Sequence, residues 1–307
     1  MTWQTVVSEP SVLGESPFWS QDEQTLYWVD IAGFAIKRAN VFMGTVESWA
    51  MPSEPGCMAP AKNGGYVIAL RDRIVRARTW GGALELLATF DHDPKTTRFN
   101  DGKCDPLGRF WAGTMFEPRT ARLANLHCLD ARAGRKPQVQ HMASDAIIAN
   151  SLCWSPNAKT VYWADTPNHV MYAWDYDLDS NHMLNKRVFK QFATKPEGWS
   201  FGQSDNGGYF GRPDGASVDV QGNLWVAMFE GQRVLQIAPS GDILQNIATP
   251  TLCNTMPCFG GDDMQTLYLT TARHNRPAAE LAVQPLLGCV LSMRVGVAGL
   301  PVNFFED

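Results

Sequence analysis

The polar residues best suited to chemistry lie in the stretch 98–117, which reads RFNDGKCDPLGRFWAGTMFE. Its first six residues carry four polar side chains: Arg98, Asn100, Asp101 and Lys103. An apolar segment follows, with Glu117 at its end, so the pattern predicts a polar edge, a turn at 105–108 and then a strand. The pair Asp101-Gly102 predicts a second turn. We expect polar side chains that lead into so apolar a strand to line a site.

Similar polar residues precede other apolar segments of the chain. Four of them are Glu15, Asn100, Asn150 and Asp214, which lie 12, 10, 12 and 10 residues before Tyr27, Phe110, Tyr162 and Leu224. Two carboxylates and two amides form an all-oxygen set that suits Ca²⁺, Mg²⁺ or Mn²⁺, and at the limit Zn²⁺ or Fe²⁺. Three or four protein ligands would leave positions open for water and substrate, as a catalytic metal site requires. The alternative is a set of polar side chains that plug a water-filled tunnel and hydrogen-bond to each other.

An aromatic strand signature recurs six times and predicts the elements that position these residues. The copies are TLYWVD (25–30), GYVIAL (65–70), RFWAGT (109–114), TVYWAD (160–165), NLWVAM (223–228) and TLYLTT (266–271). Successive copies are separated by 39, 44, 52, 62 and 44 residues, and most follow a turn. Repeats of about 40 to 50 residues built from hairpins are typical of β-propeller blades, and the period of two excludes helical solenoids. The sequence therefore predicts an all-β, six-bladed β-propeller with a central channel, formed by residues 1–307 as one domain.

The repeat also predicts where the polar residues meet. In a propeller the innermost strand of each blade runs beside the channel, so equivalent positions of different blades converge. The two-residue difference in spacing matches the longer turns SQDEQ and SPNAK, compared with DPLG and DVQG. We therefore expect all four side chains at one end of the tunnel.

Composition and charge narrow the class of protein. The 45% apolar content is ample for a large core, and a net charge of −5 without a basic run excludes a nucleic-acid or anionic-membrane partner. We expect no secretory signal at the N-terminus and no transmembrane helix, because no window of about eighteen apolar residues occurs. The seven cysteines are scattered without a C-x-x-C pair, which predicts free buried thiols and a cytoplasmic location.

Five segments, in this order, resemble the senescence-marker-protein/regucalcin/gluconolactonase family. They are LGESPFW (13–19), RFNDGKCDPLGRFWAGTMFE (98–117), IANSLCWSP (148–156), RPDGASVDVQGNLWVA (212–227) and MPCFGGDDMQTLYLTTAR (256–273). The resemblance covers essentially the whole chain and implies a six-bladed propeller that hydrolyses sugar lactones with one divalent cation in its channel. It implies three metal ligands, Glu15, Asn150 and Asp214. It also implies three substrate-binding residues at the channel mouth, Arg98, Asn100 and Glu117.

The resemblance further implies a mechanism. The cation would polarise the lactone carbonyl and stabilise the oxyanion that forms when water attacks. In this family Asp214 would be both ligand and base, although a carboxylate held against a cation should have a lowered pKa, so metal-bound hydroxide is the alternative base. Arg98 and Asn100 would donate to ring or hydroxyl oxygens and Glu117 would accept from a hydroxyl. Asp101 is interpreted as a turn or supporting residue.

The chain departs from the family pattern at two places. Ser151 follows Asn150 where relatives usually have glycine, which predicts a slightly altered backbone or cavity. The long interval between the fourth and fifth copies holds an insertion loop at about 193–212, rich in glycine and aromatic residues and leading into Asp214. We expect this loop near the channel mouth. It is either a lid whose aromatics pack on the substrate or a surface loop whose aromatics pack on a blade.

The main functional hypothesis is divalent-metal-dependent hydrolysis of a small-molecule sugar lactone to the aldonic acid. One alternative is hydrolysis of another lactone, ester or phosphotriester at the same site. A second alternative is a non-catalytic calcium-binding propeller. The polar set of Arg98, Asn100 and Glu117 favours a polyhydroxy substrate over an apolar one.

Overall fold

Short alternating segments separated by turns fold into strands over most of the chain. The computed structural model describes residues 2–202 and 208–307. Its strands are β1 (Gln4–Val7), β2 (Gly14–Ser20), β3 (Thr25–Asp30), β4 (Ala35–Asn40), β5 (Thr45–Ala50), β6 (Cys57–Pro60), β7 (Tyr66–Ala69), β8 (Arg73–Ala77), β9 (Leu84–Thr89), β10 (Thr97–Cys104), β11 (Phe110–Phe116), β12 (Ala124–Asp130), β13 (Gln138–Ala146), β14 (Ala149–Trp154), β15 (Thr160–Asp165), β16 (Val170–Asp177), β17 (His182–Gln191), β18 (Arg212–Val218), β19 (Leu224–Phe229), β20 (Arg233–Ile237), β21 (Ile243–Ala248), β22 (Asn254–Gly260), β23 (Thr266–Thr271) and β24 (Val290–Arg294). The helical segments are two 3₁₀ turns, Arg132–Gly134 and Thr166–Asn168, and the short helix α1 (Ala278–Val283).

These strands form six antiparallel sheets of four, which confirms the predicted six-bladed β-propeller. Blades one to five contain β2–β5, β6–β9, β10–β13, β14–β17 and β18–β21. Blade six has the order β22, β23, β24, β1, so the N-terminal strand completes the sheet begun near the C-terminus. This pairing joins the two ends of the chain and covers an edge of the last sheet that would otherwise be open.

The six predicted signature copies form the second strand of each blade. The inner strands β2, β6, β10, β14, β18 and β22 precede them and contact one another in this cyclic order. Because the candidate polar residues precede the signature copies, they lie on the inner strands. The sequence alignment of the repeats therefore located them on the correct element.

The core lies between the blades. In the described residues one apolar cluster fills the space between each pair of neighbouring blades. Trp28, Trp111, Trp163 and Trp225, all on second strands, are fully buried in these clusters. Large aromatic side chains bury more apolar surface than any others, and burial of that surface drives the blades together. The inner strands are therefore fixed on both sides by packed neighbours.

The structure confirms one of the two predicted turns and corrects the other. At 105–108 the Gly108 N–H donates to the Asp105 carbonyl at 2.9 Å, and the Asp105 carboxylate accepts the Leu107 N–H. The second predicted turn, at Asp101-Gly102, is wrong because both residues lie inside β10. The pairing of β10 with β11 shifts at this point, so the chain bulges there and does not reverse.

All seven cysteines are free and buried, as the sequence predicts. The cytoplasmic location inferred from them stays a prediction. No helix within 2–202 or 208–307 is long and apolar enough to span a membrane.

Candidate active site at the channel mouth

One irregularity recurs at the same point of five inner strands and positions the candidate residues. The pairing register shifts between Glu15 and Phe18, Phe99 and Gly102, Asn150 and Cys153, Pro213 and Ala216, and Asn254 and Met256. A β-bulge bends its strand and redirects a side chain, and bulges are common beside active sites. The pairing of β6 with β7 in blade two shows no such shift. Glu15 and Asn150 are the last paired residues before their bulges, and Asn100 and Asp214 are the first residues within theirs.

The side chain of Asn150 is held by Thr166 of its own blade, which in turn bonds to the next blade. Its Nδ2 donates to the Thr166 Oγ1 at 2.7 Å, and that hydroxyl donates to the Pro213 carbonyl at 2.7 Å. This chain of hydrogen bonds fixes which way the amide points. The Asn150 Oδ1 therefore faces the channel side, where the Nδ2 of Asn100 donates to it at 2.9 Å.

Ser151, the residue that departs from the family pattern, links blades four and five. Its φ is 54°, in the left-handed region that favours glycine. Its buried hydroxyl donates to the carbonyl of Asp214. The side chain that glycine would lack thus contacts the backbone of a predicted ligand. Ser16, which follows Glu15, has a similar φ of 47°.

The carboxylates at this end of the channel are buried and lie close to one another. Glu15, Asp101 and Asp214 are only 6%, 4% and 7% exposed. Burial raises the pKa of Glu15 and Asp214, and the nearby charges of other carboxylates raise both further. Asp101 contributes to both shifts, and burial also raises its own pKa. The nearby side chains of Arg98, Arg119 and Arg212 oppose the rise in the Asp214 pKa without cancelling it.

The donor set fits a divalent cation. Within the described ranges none of these three carboxylates forms a salt bridge, and the Oδ1 of Asp101 is buried without a partner. A buried carboxylate without compensation is strongly unfavourable, and a cation bound by oxygen ligands removes that cost. Across the same residues no three His, Cys, Asp or Glu side chains form a metal-binding group by themselves. Glu15 and Asp214 would therefore need the amide oxygen of Asn150 to complete three ligands.

Arg98 and Asn100 form a connected pair beside these carboxylates. Arg98 Nη1 donates to the Asn100 Oδ1 at 2.9 Å and to the Phe99 carbonyl at 2.8 Å. Both N–H groups of Asn100 are also used, one by Asn150 and the other by the Ala149 carbonyl at 2.9 Å. Burial lowers the pKa of Arg98 to about 10, which still leaves it charged at neutral pH. Asn100 therefore holds Arg98 and Asn150 in place, while Arg98 keeps further N–H donors for a ligand.

Glu117, predicted to bind substrate, is held by an arginine that the sequence analysis missed. Arg71 Nη1 and Nη2 lie 2.9 and 3.0 Å from the Glu117 Oε2, and the same guanidinium pairs with Glu54 at 2.9 Å. The Nε of Arg98 is 3.6 Å from the Glu117 Oε1. Arg71 follows the signature copy of blade two, where no polar residue marks a bulge. The repeat alignment therefore contained no signal for it.

Asp101 has a larger part in the site than a turn residue would. Its Oδ2 accepts the Leu152 N–H from blade four at 2.8 Å, so it joins the inner strands of two blades. Its other oxygen is the unpartnered one described above. The interpretation of Asp101 as a supporting residue stays a prediction, but its position is inside the buried carboxylate group.

The insertion loop connects β17 to β18, and its residues 203–207 lie outside the described part. Trp199 and Phe201 pack against the apolar cluster that contains Leu252. Tyr209 is buried, and its hydroxyl donates to the Glu230 Oε2 at 2.9 Å. Phe210 is 52% exposed. Three of the four loop aromatics thus pack on the propeller itself, as in the second of the two alternatives considered for the loop.

The channel on the other side of the bulges has a different character. It contains a cavity of about 300 Å³ with a largely apolar lining that includes Phe18, Trp154 and Phe259. The C-terminal residues 300–303 border it, and the Asn303 Nδ2 donates to the Cys104 carbonyl at 3.0 Å. Lys103 is the one charged side chain on its described lining. In the described part of the chain no carboxylate lines this cavity, in contrast to the group of Glu15, Asp101 and Asp214.

Comparison with known proteins agrees with this geometry. Residues 13–273 match the model of the SMP-30/gluconolactonase/LRE-like region. The chain is 41% identical to a 6-deoxy-6-sulfogluconolactonase of Pseudomonas putida over 304 residues, which cover 99% of this chain and 98% of that protein. It is 34% identical to regucalcin of Danio rerio over 299 residues, covering 96% and 95% of the two chains.

A solved structure shows the same fold. The calcium-binding protein regucalcin from Agrobacterium tumefaciens superimposes with a TM-score of 0.88 at 23% identity, covering 100% of this chain and 98% of that one. The alignments cover nearly the full length of both sequence relatives and of this chain. The family match includes every candidate residue from Glu15 to Asp214. The chain therefore belongs to the SMP-30/gluconolactonase/LRE-like family.

Proposed function

We propose that this chain is a lactonase that hydrolyses a sugar lactone to the aldonic acid with one divalent cation at the channel mouth. The observation that carries the proposal is the buried group of Glu15, Asn150 and Asp214 beside the donors of Arg98. Within the described residues its two carboxylates form no salt bridge, and their pKa values are raised. A 41% identical relative is named a 6-deoxy-6-sulfogluconolactonase, which supports a gluconolactone, with a sulfonated gluconolactone as the first candidate.

Glu15, Asn150 and Asp214 would hold the cation through two carboxylates and an amide oxygen. When bound, a divalent cation supplies a Lewis acid that polarises the lactone carbonyl. The regucalcin relatives, one of them described as calcium-binding, support such an ion. The amide of Asn150 is already oriented for this task by Thr166 and Asn100.

The side chains of the mouth would bind and orient the sugar. Arg98 donates to ring or hydroxyl oxygens, and Glu117 accepts from a hydroxyl while Arg71 keeps its carboxylate in place. Asn100 holds Arg98 in position through its Oδ1. Since both N–H groups of Asn100 are occupied, its contribution to the sugar is made through Arg98.

Asp214 is the residue proposed to move the proton. Its carboxylate takes a proton from the water that attacks the carbonyl carbon, and it returns that proton to the ring oxygen when the C–O bond of the lactone breaks. Water and lactone give one hydroxy acid, so atoms and charges balance. Burial raises the pKa of Asp214 in the protein without a cation, and a cation bound to the same carboxylate would lower it.

Calcium binding without turnover is the competing function, because the regucalcin structure is described as a calcium-binding protein. The two functions are separated by an acid-release assay in a pH-indicator buffer. Metal-stripped protein receives Ca²⁺, Mg²⁺, Mn²⁺, Zn²⁺ or Fe²⁺ singly, with pentono- and hexonolactones as substrates and spontaneous hydrolysis subtracted. Metal-restored turnover of at least one lactone supports the proposed function. Binding of Ca²⁺ with every lactone at background would support the competing function instead.

A further inference from the structure

A group of cationic side chains borders the channel mouth next to Asp214. Its members are Arg119, Lys195, Arg212 and Arg276, and the carboxylates among them are Glu230 and Glu280. Glu230 is buried and shared: Lys195 Nζ lies 2.8 Å and Arg212 Nη2 3.4 Å from one of its oxygens, while Arg276 Nη1 lies 2.8 Å from the other. Arg276 also pairs with Glu280. Three cations therefore share the single carboxylate of Glu230.

Arg119 is the cation of this group that lacks a partner. It lies in the loop after β11, two residues beyond Glu117, where its N–H donates to the Phe116 carbonyl at 3.0 Å and its φ is 58°. In the described part of the chain its guanidinium forms neither a salt bridge nor a hydrogen bond, and the residue is exposed. Partial burial and the charge of Arg212 lower its pKa, while Glu230 and Glu117 oppose this change. The charge of Asp214 acts on Arg119 in the same direction, so the guanidinium lies within electrostatic reach of Arg212, Glu230 and Asp214.

Arg212 is poorly satisfied by its own partner. The Glu230 oxygens already accept from Lys195, Arg276 and the Tyr209 hydroxyl at 2.8 to 2.9 Å, so Arg212 makes the longest of these contacts. Its side chain is 17% exposed, and its guanidinium carbon lies 5.4 Å from the centre of the Phe229 ring. A guanidinium has five N–H donors, and this one keeps several of them free. Two neighbouring guanidinium groups that repel each other are stabilised when an anion binds between them.

The distance between Arg212 and Asp214 determines which substrates could contact both residues. Arg212 is on the same strand as Asp214, two residues earlier. Residues two apart on a strand are separated by about 7 Å, which is comparable with the length of a six-carbon lactone. A lactone whose carbonyl is at Asp214 can therefore place its far end at Arg212 and Arg119.

We propose that Arg119 and Arg212 bind an anionic group at the end of the lactone remote from its carbonyl. The shared chemistry is a tetrahedral or planar oxyanion, such as sulfonate, phosphate or carboxylate, which guanidinium groups bind through paired N–H donors. This inference rests on the proposed function, because it assigns the substrate class of the same site. A neutral hydroxymethyl group at that end would leave the two guanidinium groups facing each other.

The test compares kcat/KM for glucono-δ-lactone with kcat/KM for lactones that carry a sulfonate, a phosphate or a carboxylate at carbon 6. The wild-type protein is expected to favour an anionic lactone by about tenfold or more, since a hydrogen bond to a charged group contributes at least that factor. Arg119→Gln is expected to lower this ratio by about tenfold, and Arg119→Lys to retain most of it. The anionic lactone with the highest ratio distinguishes sulfonate, phosphate and carboxylate.

Arg294→Gln is the matched control. Arg294 is an exposed arginine paired with Asp263, next to the β22–β23 turn at the opposite end of the blades, so its loss changes the net charge equally without affecting the mouth. It should leave the ratio as in the wild type. An equal fall in both variants would indicate long-range attraction by net charge and would overturn the assigned pair.

A binding measurement tests the anion site independently of lactone hydrolysis. Isothermal titration gives the Kd of the open-chain 6-sulfo acid for the wild type and for Arg119→Gln. About tenfold weaker binding by the variant would support the anion site even if no lactone were hydrolysed, in which case only the proposed function would fail. An unchanged Kd or an unchanged ratio in Arg119→Gln would overturn the anion site, whatever the turnover of the neutral lactone.

Discussion

The Nδ2 of Asn100 lies 2.9 Å from the Oδ1 of Asn150, a hydrogen bond that joins the inner strands of the third and fourth blades. Asn100 lies within a β-bulge and Asn150 directly precedes one, and both residues are buried. The bond connects the substrate side of the mouth, through Arg98, with the proposed cation ligands. The two halves of the site are therefore one hydrogen-bonded unit.

Replacing Asn100 should disturb both halves at once. Asn100→Ala removes two donors and one acceptor and leaves the Asn150 oxygen without its partner, so we expect kcat/KM to fall about 10- to 100-fold and stability to fall by about 1–3 kcal/mol. Lactone kinetics and urea unfolding measure the two effects. Asn63→Ala, at an exposed loop position, is the control. Kinetics equal to those of the wild type would show that the Asn100–Asn150 bond has no part in the site.

Two substitutions of Ser151 separate the effect of its backbone strain from the effect of its hydrogen bond. Ser151→Ala and Ser151→Gly both remove the hydroxyl that donates to the Asp214 carbonyl, but only glycine adopts a φ of 54° without cost. We expect the glycine variant to be more stable than the alanine variant by about 1 kcal/mol. Because glycine is the residue expected at this position from the family pattern, the glycine variant should keep most of the lactonase activity. Chemical denaturation measures the stability of the two variants, and kcat measures their activity. An alanine variant as stable as the glycine variant would contradict the strained conformation.

The ion group around Glu230 should make stability depend on acid pH. Burial alone would raise the pKa of Glu230, but Arg212, Lys195 and Arg276 outweigh it and lower the pKa to about 2. Since the folded-state pKa lies below the usual 4.5, the group stabilises the fold above that pH and loses its contribution as pH falls towards about 2. Glu230→Gln leaves Lys195 and Arg212 without their carboxylate partner and should cost about 3 kcal/mol at neutral pH.

The difference in stability between Glu230→Gln and the wild type should shrink as pH is lowered from about 5 to 2. Thermal unfolding of both proteins over this range measures it. Glu85→Gln, an exposed carboxylate paired with Arg78 at the surface, is the matched control and should differ little from the wild type at any pH. A constant difference for Glu230→Gln would contradict a lowered pKa at this position.

The stability of the metal-free protein should depend on pH in the opposite direction to the contribution of Glu230. Burial and mutual repulsion raise the pKa of Glu15 and Asp214, so the metal-free folded protein holds more protons than the unfolded chain. Its stability should therefore fall as pH rises above the usual carboxylate range. Calcium added to metal-stripped protein should raise Tm more at about pH 8 than at about pH 5. An equal or larger increase at the lower pH would count against cation binding by these carboxylates.

The blades and the inner-strand positions of the site could be predicted because the repeat is local. Each signature copy, such as TLYWVD or TVYWAD, contains its own turn and alternation, and six copies require six similar units. The alignment of Glu15, Asn100, Asn150 and Asp214 followed directly, since equivalent strand positions meet at the channel. In a propeller, residues at equivalent positions of the repeat therefore lie close together in the folded chain.

What the sequence could not predict depends on contacts between blades. Asp101-Gly102 has the composition of a turn, but β10 continues through it as a bulge because β11 and the Leu152 amide of blade four pair on either side. Arg71 belongs to blade two and meets Glu117 of blade three only in the folded molecule. The burial that raises the pKa of Asp214 is likewise a property of packing and not of composition.

The central claim is that Glu15 and Asp214 hold a catalytic cation for lactone hydrolysis. The most direct test is acid release from glucono-δ-lactone by metal-reloaded wild-type protein, Glu15→Gln and Asp214→Asn. Asp263→Asn, an exposed carboxylate at the opposite end of the blades, is the control. We expect both site variants to lose about 100-fold or more in kcat/KM with folding intact by circular dichroism, and the control to match the wild type. Full turnover by a folded Glu15→Gln or Asp214→Asn protein would contradict the proposed site.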